Sequence, residues 1–365
     1  MFNKPICNIV VFLIVLISIV DSFIISSISS VCSSSSSSLS SSSLCMSLPV
    51  KKGIIIGAGR IGNYLYEANN KQDLLLSSRD MTVPEGDESV PIYVCTRNND
   101  LENIIEKTPS NRKQDLVFLQ NGILTPYLQS KGLSENTQGL VYFAVSKKGE
   151  TPIDGVTDMN PEGLTAVTGK WADDLAARLK NGGLSCHVMD KPTWEVAMLS
   201  KHIWICAFMA IGAKHGGITV GAVEKEHNAE VKELINEMAI AASSETGLKF
   251  PSDLADKLCA YARSVAHFPT ALKEFEWRNG WFVDISLKAI SELKKDPLPK
   301  HTEIMMAQKL FYKARKVLVK KLREEGEAAE ERWGIQRELK EIEEEDKKSP
   351  LNPPTSPTVL LNSKQ

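Results

Sequence analysis

One segment constrains this chain more than any other: Lys51-Lys52-Gly53-Ile54-Ile55-Ile56-Gly57-Ala58-Gly59-Arg60-Ile61-Gly62. Three consecutive isoleucines have the β-branched, wholly apolar character of a strand buried on both faces. Glycines then follow at 57, 59 and 62, and the pattern predicts a strand, a turn and the start of a helix. In such a turn Gly57 permits the tight bend, Gly59 lets a pyrophosphate approach the backbone, and Gly62 lets the helix pack close to the strand. The helix opening near Arg60 would offer free N–H groups to a phosphate. The segment therefore reads as a dinucleotide-binding turn, with Gly57, Ala58, Gly59, Arg60, Ile61 and Gly62 as cofactor-binding residues.

From 51 to about 190, strand-like and helix-like runs alternate. Gly53–Ile56, Asp73–Ser77, Pro91–Cys95, Asp115–Leu119 and Gly139–Val145 are short apolar or β-branched runs, with helical patterns at Leu101–Glu106 and Ala172–Leu179. This alternation predicts a mainly parallel sheet covered by helices. After Lys191 the strand pattern stops, and Trp194–Ala213, Glu224–Thr246 and Ser252–Val265 read as helices. The expected fold class is α/β, a Rossmann-type dinucleotide-binding domain (51–190) followed by an all-helical substrate domain (191–322). A helix within Thr302–Leu322 fits the second part. Residues 323–365 read as a charged helix and a proline-marked tail.

The first fifty residues have no core-forming pattern. An apolar run from Ile9 to Val20 fits a signal-peptide core, and serine dominates from Ser26 to Ser47. No acidic residue occurs between Asp21 and Glu67. A serine-rich, acid-poor stretch behind a signal peptide resembles the bipartite presequence of algae with secretory-derived plastids, Phe23 standing where the transit segment would begin. The expectation is cleavage and residence in a plastid stroma. A secreted or endoplasmic-reticulum protein, or a cytoplasmic form starting at Met46, is the alternative. Beyond this region Cys95, Cys186, Cys206 and Cys259 are widely spaced, without metal-ligand spacing, and read as free thiols in a reducing compartment. No metal is expected. The formal net charge of -2 argues against nucleic-acid binding. A mature protein free of the membrane, acting on a small carbonyl compound, alone or as a homodimer, is the expectation.

About twenty residues after the glycine turn, where an NAD site places an acidic residue for the ribose diol, the chain reads Leu75-Leu76-Ser77-Ser78-Arg79. Small hydroxyls and an arginine suit a 2′-phosphate, so NADP(H) is the expected cofactor, although Asp80 follows directly. With Gln120-Asn121-Gly122, Lys201 and Glu274-Phe275-Glu276-Trp277-Arg278-Asn279-Gly280 downstream, the chain resembles the ketopantoate reductase (2-dehydropantoate 2-reductase) family over roughly 52–285, as a divergent member.

Lys201 lies in an almost wholly apolar helix, where an ammonium must snorkel, pair or work, and where burial lowers its pKa toward useful proton transfer. The resemblance implies that Lys201 is the general acid and that Glu274 binds the substrate hydroxyl and orients the lysine. It also implies that Asn121 contacts nicotinamide and substrate. His202 is the alternative acid, and one of Glu274 and Glu276 is expected to be a surface carboxylate. The chain departs from the family where the latter has asparagines four and eight residues after the lysine, here Ile205 and Met209. Its substrate-binding serine has no counterpart at the right spacing, Ser264 being two residues too close to Glu274 and Phe268-Pro269-Thr270 intervening. Thr96-Arg97-Asn98 lacks the family's lysine. The expected function is NADPH-dependent reduction of a small 2-oxo acid or related carbonyl compound, an oxidoreductase acting on CH-OH/C=O. True ketopantoate reduction in pantothenate synthesis and a non-catalytic NADP(H) sensor or scaffold are the competing readings.

Overall fold

The computed structural model describes residues 48–317 apart from 80, 87, 311, 312 and 315. The expected presequence and most of the charged tail lie outside the described residues. The N-terminal half holds a seven-stranded sheet in the order β2-β1-β3-β4-β5-β6-β7. Its strands are β1 (Ile54–Ile56), β2 (Leu74–Leu76), β3 (Ile92–Val94), β4 (Leu116–Phe118), β5 (Thr137–Leu140), β6 (Ala166–Thr168) and β7 (His187–Val188). The first five are parallel, β6 runs antiparallel to β5, and β7 is parallel to β6. Helices α1 (Arg60–Ala68), α2 (Leu101–Lys107), α3 (Thr125–Ser130) and α4 (Ala172–Asn181) connect them. The strand order reverses between β1 and β3, the crevice where open α/β sheets bind ligands at the carboxyl ends of their strands.

After β7 the described chain is helical: α5 (Lys191–Lys214), α6 (Val220–Glu226), α7 (Asn228–Thr246), α8 (Leu254–Ser264), α9 (Asn279–Ser291) and α10 (Pro299–Ala307). Asp190 caps α5, its carboxylate accepting from Thr193 N–H at 2.8 Å. α5 is long and apolar enough to cross a membrane, yet Ile203 through Phe208 are all buried against neighbours in α7, α8 and α9. It is the central helix of the helical half.

Three expected elements differ in extent. The run Gly139–Val145 leaves the sheet after Leu140, because Val141 gives its carbonyl to the Lys201 ammonium and Tyr142 N–H turns to Thr165 Oγ1 at 3.1 Å. The expected helix Glu224–Thr246 is two helices, α6 and α7, joined at His227 with φ -124° and ψ 29°. In the Thr302–Leu322 region the helix starts earlier, at Pro299, whose fixed φ suits a first helical position. The sheet also holds two strands beyond the expected ones, β6 and β7, of three and two residues.

A buried ion pair fastens the start of the sheet. Asp73 and Arg178 side chains are both fully buried and paired. Arg178 also donates to Lys51 O at 2.9 Å and Leu65 O at 3.3 Å and stacks on Tyr93, while Asp73 accepts from Gly53 N–H at 2.8 Å and Asn69 at 3.0 Å. Just upstream, Leu48 exchanges two 2.9 Å hydrogen bonds with the Asn181 side chain, and Lys51 N–H donates to Asp174 at 2.8 Å.

Candidate active site

The glycine turn has the form its sequence requires. Gly57 has φ +103°, and a Cβ there would lie 2.8 Å from Cys95 O. A Cβ on Gly62 would lie 2.0 Å from Gly57 O, so α1 can approach β1 only with glycine there. Gly59 is the N-cap of α1, makes no side-chain cap, and has open space where its Cβ would be. This is a cradle into which a phosphate fits, facing the first N–H groups of α1. Gly57 N–H donates to Leu76 O at 2.9 Å, which brings the end of β2, with Ser77, Ser78 and the exposed Arg79, beside the turn. Arg60 instead reaches across, Nη1 donating to Val145 O at 3.0 Å and Ser146 O at 3.3 Å.

Asn121 follows β4. Gln120 Nε2 donates to Val94 O at 2.9 Å and Thr96 O at 3.3 Å, and the buried Asn98 holds Asn121 O at 2.9 Å. Gly122, at φ +110°, lies so near the helical half that a Cβ would stand 2.3 Å from Trp277 O. Ile123 N–H bonds that same carbonyl at 2.9 Å. The Asn121 loop and the Glu274–Trp277 turn are thus in direct contact.

Lys201 projects from the middle of α5 into the same cleft. It is 5% exposed, and its ammonium donates to Val141 O and lies 4.9 Å above the Tyr142 ring. Among the described residues it has no carboxylate partner. Burial, with the nearby Arg278 charge, lowers its pKa to about 7. Tyr142 is fixed edge-on to Tyr261, whose hydroxyl donates to Tyr142 O at 2.9 Å. His202 faces elsewhere, stacked on Phe282 with Nε2 3.7 Å from Cys206 Sγ. Burial and Arg278 push its pKa down to about 3, so it stays neutral.

Glu274 also lines the cleft, at φ +48°. Its Oε2 accepts from Arg278 Nη2 at 2.5 Å, and Lys201 takes its orientation from Val141 and Tyr142 instead. Glu276 is exposed. Asn279, at the start of α9, is buried on His301 Nε2 at 2.9 Å and anchors the segment. Ile205, Met209 and Phe268 line the cleft, while Ser264 bonds Tyr261 O within its own helix. Thr96, Arg97 and Asn98 line the nucleotide end. Arg278, Asn98 and Tyr142 are the site residues that sequence reasoning missed. Only Arg278 left a trace, standing four residues after Glu274 at ion-pair spacing.

Arg60 and Ile61 of the turn, with Asn98, Asn121, Lys201, Glu274 and Arg278, open on one cleft of about 430 Å³, bounded by the carboxyl end of a dinucleotide-type sheet and by a helical half carrying a buried lysine. That arrangement is the Rossmann-plus-helical fold of 2-oxo acid reductases. More particularly, the chain has the fold of ketopantoate reductase. The dimeric enzyme from Staphylococcus aureus superposes with a TM-score of 0.52 at 15% identity, over 72% of this chain and 98% of the other. A ketopantoate reductase from Ralstonia eutropha gives 0.50 at 17% identity, over 73% and 100%. D-mandelate dehydrogenase, solved with NADH and anilino(oxo)acetate, gives 0.51 at 16% identity, over 72% and 100%. No family profile matches the chain, and no curated protein sequence does.

Proposed function

We propose that the protein is an NADPH-dependent reductase of a 2-oxo acid, with Lys201 as its general acid. The observation that carries this reading is the buried Lys201, without an ion-pair partner among the described residues, opening on the same cleft as Arg60 and Ile61 at the start of α1. Gly57–Gly62 would hold the pyrophosphate, Arg79 with Ser77 and Ser78 the 2′-phosphate, and Asn121 the nicotinamide end. Bound NADPH supplies a hydride. As the carbonyl is reduced, Lys201 delivers a proton to its oxygen, leaving a 2-hydroxy acid and a neutral amine that cleft water reprotonates. A lysine whose pKa lies near 7 can complete that cycle at neutral pH. Glu274 faces the same space and accepts the hydrogen bond of the developing hydroxyl.

Ile205 and Met209 line the place of polar substrate contacts, which favours a substrate other than ketopantoate. The same apolar replacement is what a cofactor-binding sensor without turnover would show. A screen of cofactor oxidation over 2-oxo acids, with protein beginning at Ser47, separates the two. Acceleration by at least one acid supports the reductase, and none across the set supports the sensor. The proposal places the mature chain in a plastid stroma, supported by the serine tract and by four unpaired cysteines among the described residues. A reporter fused to residues 1–50 that reached only the medium or the cytosol would contradict that address.

A further inference from the structure

The cleft distributes its chemistry unevenly. Arg278 is its most confined arginine: the side chain is 16% exposed, Nη2 is engaged by Glu274, and Nε is buried with no partner. A buried guanidinium donor left unpaired is costly and uncommon. The other two arginines of the cleft are placed differently. Arg60 is spent on the carbonyls of Val145 and Ser146, and Arg97 is exposed at the nucleotide end. Arg278 lies close enough to Lys201 for its charge to weaken the lysine's hold on a proton.

One part of the lining is apolar. Trp204, Ile205, Met209, Tyr261 and Phe268 form it, and the Tyr261 hydroxyl is already bonded to Tyr142 O. Polyhydroxylated side chains would find little to bond there, and leaving their hydroxyls unpaired is penalised. A bulky hydrocarbon group would instead displace water from apolar surface.

We infer that Arg278 takes the carboxylate of the substrate while the Trp204–Phe268 wall takes a bulky apolar side chain. The substrate class is therefore an aryl- or branched-alkyl 2-oxo monocarboxylate. This rests on the reductase reading above and deepens it. The carboxylate would bond the donors of Arg278 that Glu274 leaves, and so place the adjacent carbonyl toward Lys201. A planar fork presenting parallel donors is the group suited to this task.

The test is calorimetric binding to the full chain in the presence of NADP⁺, where no turnover occurs. The probes are 3-phenyl-2-oxopropanoate, its methyl ester and pyruvate. The phenyl acid is expected to bind at least about tenfold tighter than pyruvate, and one to two decades tighter than its ester. Arg278→Gln should erase the acid-over-ester preference and leave ester affinity alone. Arg278→Lys, which keeps the charge beside Glu274, should retain part of the preference and guards against a glutamine variant that fails to fold. Equal affinity for acid and ester overturns the inference, as does a phenyl acid no tighter than pyruvate. Loss of the preference in Arg97→Gln but not in Arg278→Gln also overturns it. The function itself is read separately: Arg278-dependent binding without NADPH oxidation by any of the acids overturns the reductase and leaves the pocket assignment standing.

Discussion

Arg178 and Lys201 are both buried, and their surroundings are opposite. Arg178, beneath the start of the sheet, meets the fully buried carboxylate of Asp73, two backbone carbonyls and the face of Tyr93. Lys201, at the floor of the cleft, meets one carbonyl and one ring, and no carboxylate among the described residues. The first charge is neutralised in place, and its partners lie just ahead of β1 and β2, in α1 and in β3, so it fixes how those elements sit against α4. The second is held where its proton is loosely bound, which costs stability and makes it useful. Burial alone does not decide what a cation does; the presence of a counter-charge does.

The largest expected effect tests the second cation. Lys201→Met should lower turnover on the best 2-oxo acid by roughly 10² to 10⁴, the span of a positioned proton donor. NADPH affinity, measured by fluorescence, should hardly change, because the cradle is on the other half. Thermal stability should not fall, and a variant that melted much lower would break the comparison. Next is Arg178→Met, which strands the Asp73 carboxylate. A loss of about 3–5 kcal/mol is expected in denaturant unfolding, with most of it recovered in Arg178→Met/Asp73→Asn. No recovery in the double variant would mean that packing, not charge, makes this site matter.

A smaller effect concerns the cofactor. Arg79→Ala should erode a preference for NADPH over NADH by one to two decades in dissociation constant. Equal constants in the unmodified protein would remove Arg79 from the site. The smallest effect is in pH. The folded Lys201 releases its proton near pH 7, whereas an unfolded lysine keeps it to about 10.5. Between those values the unfolded chain binds more protons, so this lysine's penalty is full below pH 7 and fades as pH rises toward 10.5. The stability gap between Lys201→Met and the parent should narrow across that window, by at most about 1.4 kcal/mol per pH unit. The effect of Arg178→Met should stay flat over the same range, since an arginine does not titrate there.

The sites legible in the sequence were those whose chemistry is local. Gly57, Gly59 and Gly62 announce the cradle because each glycine answers a backbone demand within one turn. Lys201 was visible because an ammonium in an apolar helix contradicts its surroundings. The Asp73–Arg178 pair was not, because its members are 105 positions apart and nothing near either names the other. Nor was the end of β5 after Leu140, which is set by a carbonyl owed to Lys201 sixty residues later. Arg278 needed the turn at Glu274, whose left-handed backbone no propensity favours for glutamate, before it could be seen to face the cleft. The orientation of Lys201 was assigned to Glu274 from the family pattern, and the glutamate holds Arg278 instead.

The paired hydrogen bonds between Leu48 and Asn181 also bear on the proposed removal of the leader. Among the described residues, Leu48 and Lys51 are the first stitched to α4, and Lys51 O is one of the groups that satisfies Arg178. A processing protease can cut anywhere ahead of Leu48 and leave this seam intact. A cut beyond Lys51 would take away an acceptor from a fully buried guanidinium beside β1. On the proposal of a cleaved leader, the seam is a downstream limit on the cut, and N-terminal sequencing of the mature protein should find its first residue at or before position 48.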